Sequence, residues 1–307
     1  VIVELPGPSG LIADELHRYN IHMRDARGLA IGTREDRLAR VSQLLQCKVA
    51  GKAIAIGELQ PEDVRDFIAT ELTRVNSASH ASAVTAALRA YFRYRSTCGD
   101  AVNALLGAIS SPVRWSQASL PRALTTEEVQ RLEAYCAQTK RAPLRLLAMV
   151  RLALDLGLRV GEIAKLEIGD FDWRAGTVTL KRTKSQRQDV LPLPVLTGQA
   201  LAEYMRHERP ATTLPSLFVR RLAPHDKPIG VDGVSHAIGR ALRSAGISRS
   251  CHSLRHTLAC RLVNSGSSIK EVADVLRHRS LDTSLIYAKL DLQLLAEVAL
   301  PWPGSAS

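Results

Sequence analysis

The chain has 307 residues, 46% of them hydrophobic, which is enough to bury one large core or two smaller ones and excludes wholesale disorder. Its formal charge of +11 favours a polyanionic partner, and the excess is uneven: residues 1–110 carry 13 Lys and Arg against 12 Asp and Glu, whereas residues 111–307 carry 28 against 18. Five cysteines (Cys47, Cys98, Cys136, Cys251 and Cys260) form no CxxC pair, and neither a signal peptide nor an apolar run of membrane-span length is present, so the expectation is a soluble, cytoplasmic protein with free thiols and no membrane partner.

Residues 8–109 read as helical throughout. LIADELHRYNIHMRDARG places Leu11, Ile12, Leu16 and Tyr19 on one side, and REDRLARVSQLLQC repeats the pattern with Leu38, Val41, Leu44 and Leu45. Gly51 and Gly57 are expected to close that helix. QPEDVRDFIATEL opens the next with Pro61 in its first turn, and HASAVTAALRAYFRYRS follows with Val84, Leu88 and Tyr91 as its stripe. Four or five helices with short connections predict a compact helical domain over 1–110. Two prolines and several serines mark 111–122 as a linker, which leaves 123–307 as a second domain.

The second domain opens on a capping box from Thr125 to Glu128, and PLRLLAMVRLALDLG predicts a helix stopped by Gly157. GTVTLKRTKSQRQDVLPLP alternates and is β-branched around a polar centre, which predicts a β-hairpin, the one expected sheet. Helices resume from about 231 to 298. Ser268 and Glu271 form another capping box, with Ile269, Val272, Ala273 and Leu276 as the buried stripe, and His278 falls near the end of that helix. A short helix capped by Asp282 then carries Tyr287. The fold class is therefore mainly α with a small β-hairpin.

The residues able to do chemistry cluster late. His252 and Arg255 share a helix face, and a helical packing can bring His278 and Tyr287 to the same place. Arg159 heads the helix after Gly157, where free N–H groups favour an anion, and Glu162 is spaced to orient its guanidinium by an ion pair. Arg182, Lys184 and Arg187 crowd the hairpin tip, and Arg89 and Arg93 offer a basic face in the first domain, where Tyr91 and Phe92 read as core. Two other readings compete. His252, His256 and Cys260 stand at i, i+4 and i+8, a spacing open to zinc, but without an HExxH glutamate, so His256 reads as an internally bonded residue and no metal or cofactor is expected. The hairpin can also be a solvated basic turn.

Taken in order, the Arg159-x-x-Glu162 pair after a helix break, Lys184 before LPLP, H-x-L-R-H at 252–256 and LRHRSLDTSLIY at 276–287 resemble the tyrosine recombinase, or phage integrase, family over 123–290. Residues 8–109 are similar only loosely to that family's helical core-binding domain. The sequence departs from the family at Arg277, where a small glycine is usual, and at Ser284, where a second threonine is common. The resemblance implies an active-site set of Arg159, Lys184, His252, Arg255 and His278, with Tyr287 as nucleophile and Glu162 and His256 in support. It implies a clamp around double-stranded DNA, strand exchange through a 3′-phosphotyrosyl intermediate and a four-way junction, and a homotetramer joined by a C-terminal exchange helix around Leu292–Val298, with accessory proteins possible. Arg89, Arg93, Arg182 and Arg187 are the expected DNA contacts. A type IB topoisomerase and a non-catalytic DNA-binding regulator on the same fold stay open as alternatives.

Overall fold

The computed structural model describes residues 10–48, 58–75, 77–110, 121–181, 188–221, 227–278, 280 and 283–289. The chain divides into two compact units, residues 1–115 and 116–307.

The first unit contains helices α1 (Leu11–Asp25), α2 (Ile31–Lys48), α3 (Pro61–Arg74), α4 (Ala78–Thr97) and α5 (Asn103–Ala108). Pro61 occupies the first turn of α3, where its missing N–H costs nothing, and Ser77 caps α4 by accepting from the His80 N–H. The expected stripes face one core of Leu16, Tyr19, Val41, Leu44, Leu45, Val84, Leu88, Tyr91 and Phe92, whereas Leu11 is left exposed at the start of α1. Glu15 is fully buried in this core. Tyr91 donates to it at 3.0 Å, and Arg95 and Arg18 pair with it at 2.8 and 2.9 Å, so the carboxylate is fully compensated. Gly51, Gly57 and most of the expected linker lie outside the described residues.

The second unit is built on α7 (Pro143–Asp155), whose Leu146, Ala148, Met149, Val150, Leu152, Ala153 and Leu154 are all buried. So many buried positions around a helix require neighbours on most of its sides. Around it pack α6 (Thr126–Gln138), α8 (Val160–Ile163), α9 (Val195–His207), α10 (Val231–Ser244) and α11 (His252–Asn264). The Thr125–Glu128 capping box forms as expected, with both reciprocal bonds present.

The hairpin pairs β2 (Thr177–Leu180) with β3 (Asp189–Pro192), Val178 opposite Leu191, and a short strand β1 (Phe171–Asp172) extends it to a three-stranded antiparallel sheet. That third strand is too short to leave a period in the sequence. Helix α9 adds an element to the expected hairpin and helices; Pro194 serves as its N-cap. Beyond α11, α12 (Ile269–Val275) and α13 (Leu285–Ala288) complete a small satellite core of Ala259, Val263, Val272, Leu276 and Tyr287. Asp282 and the segment Leu292–Val298 lie outside the described residues; the residue before the first turn of α13 is Ser284. Among the described residues, no helix is long and apolar enough to cross a membrane.

Candidate active site

The site is assembled where α7 stops. Gly157 takes φ +59°, and an added Cβ there meets Leu276 Cδ2 at 2.9 Å and Leu258 Cδ2 at 3.0 Å, so glycine alone permits both the turn and the close approach of α11 and α12. The carbonyl of Gly157 accepts from Nη1 of Arg255, and the carbonyl of Leu276 accepts from Nη2. Arg255 is only 2% exposed, held between the ends of two helices. A guanidinium carries five N–H groups, so two carbonyl bonds fix the fork without exhausting it. Burial, then the charges of Arg159 and Arg277, push its pKa down to about 9, which still leaves it cationic at neutral pH.

Arg159 stands at the N-cap of α8, a single turn. Its backbone N–H is taken by Glu162 Oε2 at 2.8 Å. The anticipated ion pair is present, with Nη1 donating to Glu162 Oε1 at 2.8 Å. Glu162 is 8% exposed; burial raises its pKa, but the charge of Arg277 and the donors of Arg159 outweigh that, so it stays ionised below the usual carboxylate range. Arg159, Arg255 and Arg277 against Glu162 leave an excess of two positive charges in a partly buried region, a setting suited to an anion.

Three histidines line the same region. His252 opens α11 and is exposed; the protein around it, then Arg255 and Arg159, depress its pKa. His278 follows α12, and its Nδ1 lies 2.6 Å from Ser284 Oγ, which fixes the ring. Burial first, and then Arg255 and Arg159, lower it to about 4. His256 stacks edge-on against His252 at 4.6 Å between centroids and places Nδ1 2.7 Å from the Tyr287 hydroxyl. Its pKa is also depressed to about 4, by burial and then by His252 and Arg255. Tyr287 is 2% exposed, and burial pushes it up to about 12 against the lowering charge of Arg255.

The structure thus brings Arg159, Glu162, His252, Arg255, His256, His278 and Tyr287 into one interacting cluster. The tyrosine's hydrogen bond goes to His256. Arg182, Lys184 and Arg187 lie outside the described residues. In the first unit, Arg89 donates to the Ile109 carbonyl at 2.6 Å, a bond that ties α4 to α5, while Arg93 is exposed and Tyr91 and Phe92 are core. Sequence reasoning treated Arg277 only as a departure from a pattern. Its burial and its bond to Glu162 Oε2 at 3.0 Å belong to the site, and the signal was present as a large cation where a helix end normally takes glycine.

With this geometry in place, comparison with known proteins is direct. The Phage integrase family profile matches residues 122–293. The chain is 34% identical over 99% of its length to "Putative integrase/recombinase y4rA" of Sinorhizobium fredii, covering 74% of that protein, and 28% identical over 78% of its length to "Tyrosine recombinase XerA" of Thermococcus kodakarensis, covering 80% of it. Among solved structures, the Tn1549 transposon integrase in complex with transposon right end DNA superposes with a TM-score of 0.70 at 15% identity, over 94% of this chain and 100% of that one. A lambda integrase(75–356) dimer bound to a COC′ core site gives 0.68 at 16%, over 96% and 98%. These likenesses place the mostly helical fold, and the matched sequence places the lineage: the chain belongs to the tyrosine recombinase, or phage integrase, family.

Proposed function

We propose that this protein is a site-specific DNA recombinase that cleaves and rejoins strands through Tyr287. The observation that carries the reading is the convergence of Tyr287 with Arg159, Arg255, His252 and His278 around a region of excess positive charge. In the proposed reaction the Tyr287 oxygen forms a bond to phosphorus as the bond from phosphorus to the 5′-oxygen breaks. A 3′-phosphotyrosyl link and a 5′-hydroxyl result. Arg159 and Arg255 hold the nonbridging oxygens, whose charge grows in the transition state, and His278 adds a further hydrogen bond. Lys184 protonates the leaving 5′-oxygen. The reverse attack by a 5′-hydroxyl from another strand conserves the bond and rejoins without ATP.

With the phenol at about 12 and the His256 imidazole at about 4, the 2.7 Å hydrogen bond does not transfer its proton at neutral pH. The charges of Arg159 and Arg255 favour the phenolate, and a neighbouring imidazole, His256 or the exposed His252, receives the proton. The finer parts of the proposal follow the family: the two units engage duplex DNA as a clamp, residues 1–110 as core-binding domain and 123–307 as catalytic domain. Four protomers exchange strands through a four-way junction in the cytoplasm, with or without accessory proteins.

The experiment is covalent trapping on nicked duplexes with randomised arms, read as SDS-resistant protein–DNA adduct for wild type and Tyr287→Phe. An adduct that requires Tyr287 supports the reading, and sequencing the captured DNA yields the site. An adduct that persists in Tyr287→Phe assigns the wrong nucleophile, and binding without adduct in wild type favours a non-catalytic regulator.

A further inference from the structure

Helix α12 ends in a way that its sequence should resist. The N–H of His278 bonds the carbonyl of Ala273 at 2.9 Å and the N–H of Arg277 bonds that of Asp274 at 3.0 Å, the paired bonds of a Schellman end. The residue between them must be left-handed, and Arg277 is, at φ +54°. The same pair of bonds ends α10 and α11, where the left-handed positions are Gly246 and Gly266. Glycine takes that conformation freely, whereas an L side chain crowds its own backbone there. Nothing about terminating α12 calls for arginine, so the reason for it lies in the side chain.

That side chain is 5% exposed, and it does not reach solvent as a surface arginine would. Nη2 donates to Glu162 Oε2 at 3.0 Å and Nη1 to the Val275 carbonyl at 3.0 Å, while Nε is buried with no partner among the described residues. Glu162 is therefore shared. Oε1 holds the Arg159 guanidinium, and Oε2 holds both the Arg159 backbone N–H and Arg277. Three donors on two oxygens fix the plane of the carboxylate, and with it the Arg159 Nη1 that donates to Oε1.

We propose that Arg277 is a positioning residue for Arg159, acting through Glu162 and resting on the reading of Arg159 as a phosphate ligand. With Arg277 in place the carboxylate cannot rotate, and Arg159 presents its remaining N–H groups in one direction. Without it, Oε2 keeps only the backbone bond, the carboxylate gains freedom, and the guanidinium turns with it. A preorganised donor outperforms a mobile one because its ordering is complete before the anion arrives.

The test uses the full chain and inorganic phosphate as probe, with affinity read by 31P NMR and folding by thermal melting, so it requires no knowledge of the DNA site. Arg277→Gly is expected to bind phosphate about tenfold more weakly than wild type, the size of one charge-assisted hydrogen bond. Its melting midpoint should fall, because the buried Glu162 carboxylate loses a charged partner and the strain released by glycine at this φ offsets only part of that; phosphate affinity is compared at a temperature where both proteins are folded. Arg277→Lys, which can still donate to Oε2, should recover most of the loss. Adding Arg277→Gly to Glu162→Gln should weaken binding no further, because both act on one element.

Arg277→Gly within about twofold of wild type overturns the proposal, as does a double variant whose losses simply multiply. If Glu162→Gln does not fold, the glycine and lysine variants decide alone. Arg159→Ala separates the two readings. Phosphate binding that depends on Arg159 but not on Arg277 overturns only the positioning role; binding indifferent to Arg159 removes the phosphate reading and the positioning role together.

Discussion

Nδ1 of His256 lies 2.7 Å from the hydroxyl of Tyr287, although the two residues are 31 positions apart in the chain. The neighbour of His256 in sequence, Arg255, has its guanidinium fixed by carbonyls at the ends of α7 and α12. One turn of α11 therefore carries both the partner of the proposed nucleophile and a proposed ligand of the phosphate. Any change in how α13 docks on α11 alters the tyrosine without disturbing the arginine.

The first prediction concerns that bond. His256→Leu leaves a buried phenol hydroxyl without its partner and should lower unfolding free energy by about 1–3 kcal/mol. Urea denaturation of the variant and wild type measures it, with the denaturant slope expected to stay the same. Equal midpoints would mean that the hydroxyl finds another partner when the imidazole is gone.

Gly157→Ala should be worse than its single added methyl suggests. The new Cβ collides with Leu276 and Leu258, and φ +59° disfavours alanine, so a loss of about 1–3 kcal/mol is expected. Because the Gly157 carbonyl also holds Arg255, adduct formation on captured DNA should fall along with the melting midpoint. An alanine variant that melts and reacts like wild type would show that α11 and α12 give way easily.

Stability should depend on pH through the histidines. His256 and His278 sit at about 4 in the folded chain against about 6.5 when unfolded, so between those values the unfolded chain binds more protons. Stability from this source is complete above about pH 6.5 and is lost progressively as pH falls towards about 4. Glu162, whose pKa is lowered, adds a further loss only below the ordinary glutamate range. Melting midpoints between pH 7 and pH 4 should decline, and His256→Gln should flatten the decline. A profile unchanged by that substitution would mean His256 is protonated in the folded state.

Lys184 is tested by its leaving group. Lys184→Ala should slow adduct formation on ordinary DNA by about a hundredfold, the scale of one general acid. A 5′-bridging phosphorothiolate departs as a thiolate and needs no proton, so the variant should recover on it. Failure to recover assigns the proton to another group.

Much of the fold was legible because it rests on local rules. The stripes of α1, α2 and α4, the capping boxes at Thr125 and Ser268 and the stop at Gly157 each follow from a few adjacent residues. Strand β1 was not legible because two residues carry no period, and α9 was not because its N-cap, Pro194, offers no side-chain capping signal. Among site residues, the Arg159–Glu162 pair was legible from a spacing of three along one chain segment. The pairing of Glu162 with Arg277, across 115 positions, was not.

The sequence by itself determined the chemistry on offer: two arginines, three histidines and a tyrosine in an order that resembles one family, on helices whose faces can be read from their periods. Only the tertiary structure decided which of them touch. Periodicity states which side of a helix is buried, but the partner on that side depends on how distant helices cross and where they end. The bond of Tyr287 to His256, the burial of Arg255 and the joining of Arg277 to Arg159 through one carboxylate are consequences of α7 and α12 ending where α11 begins.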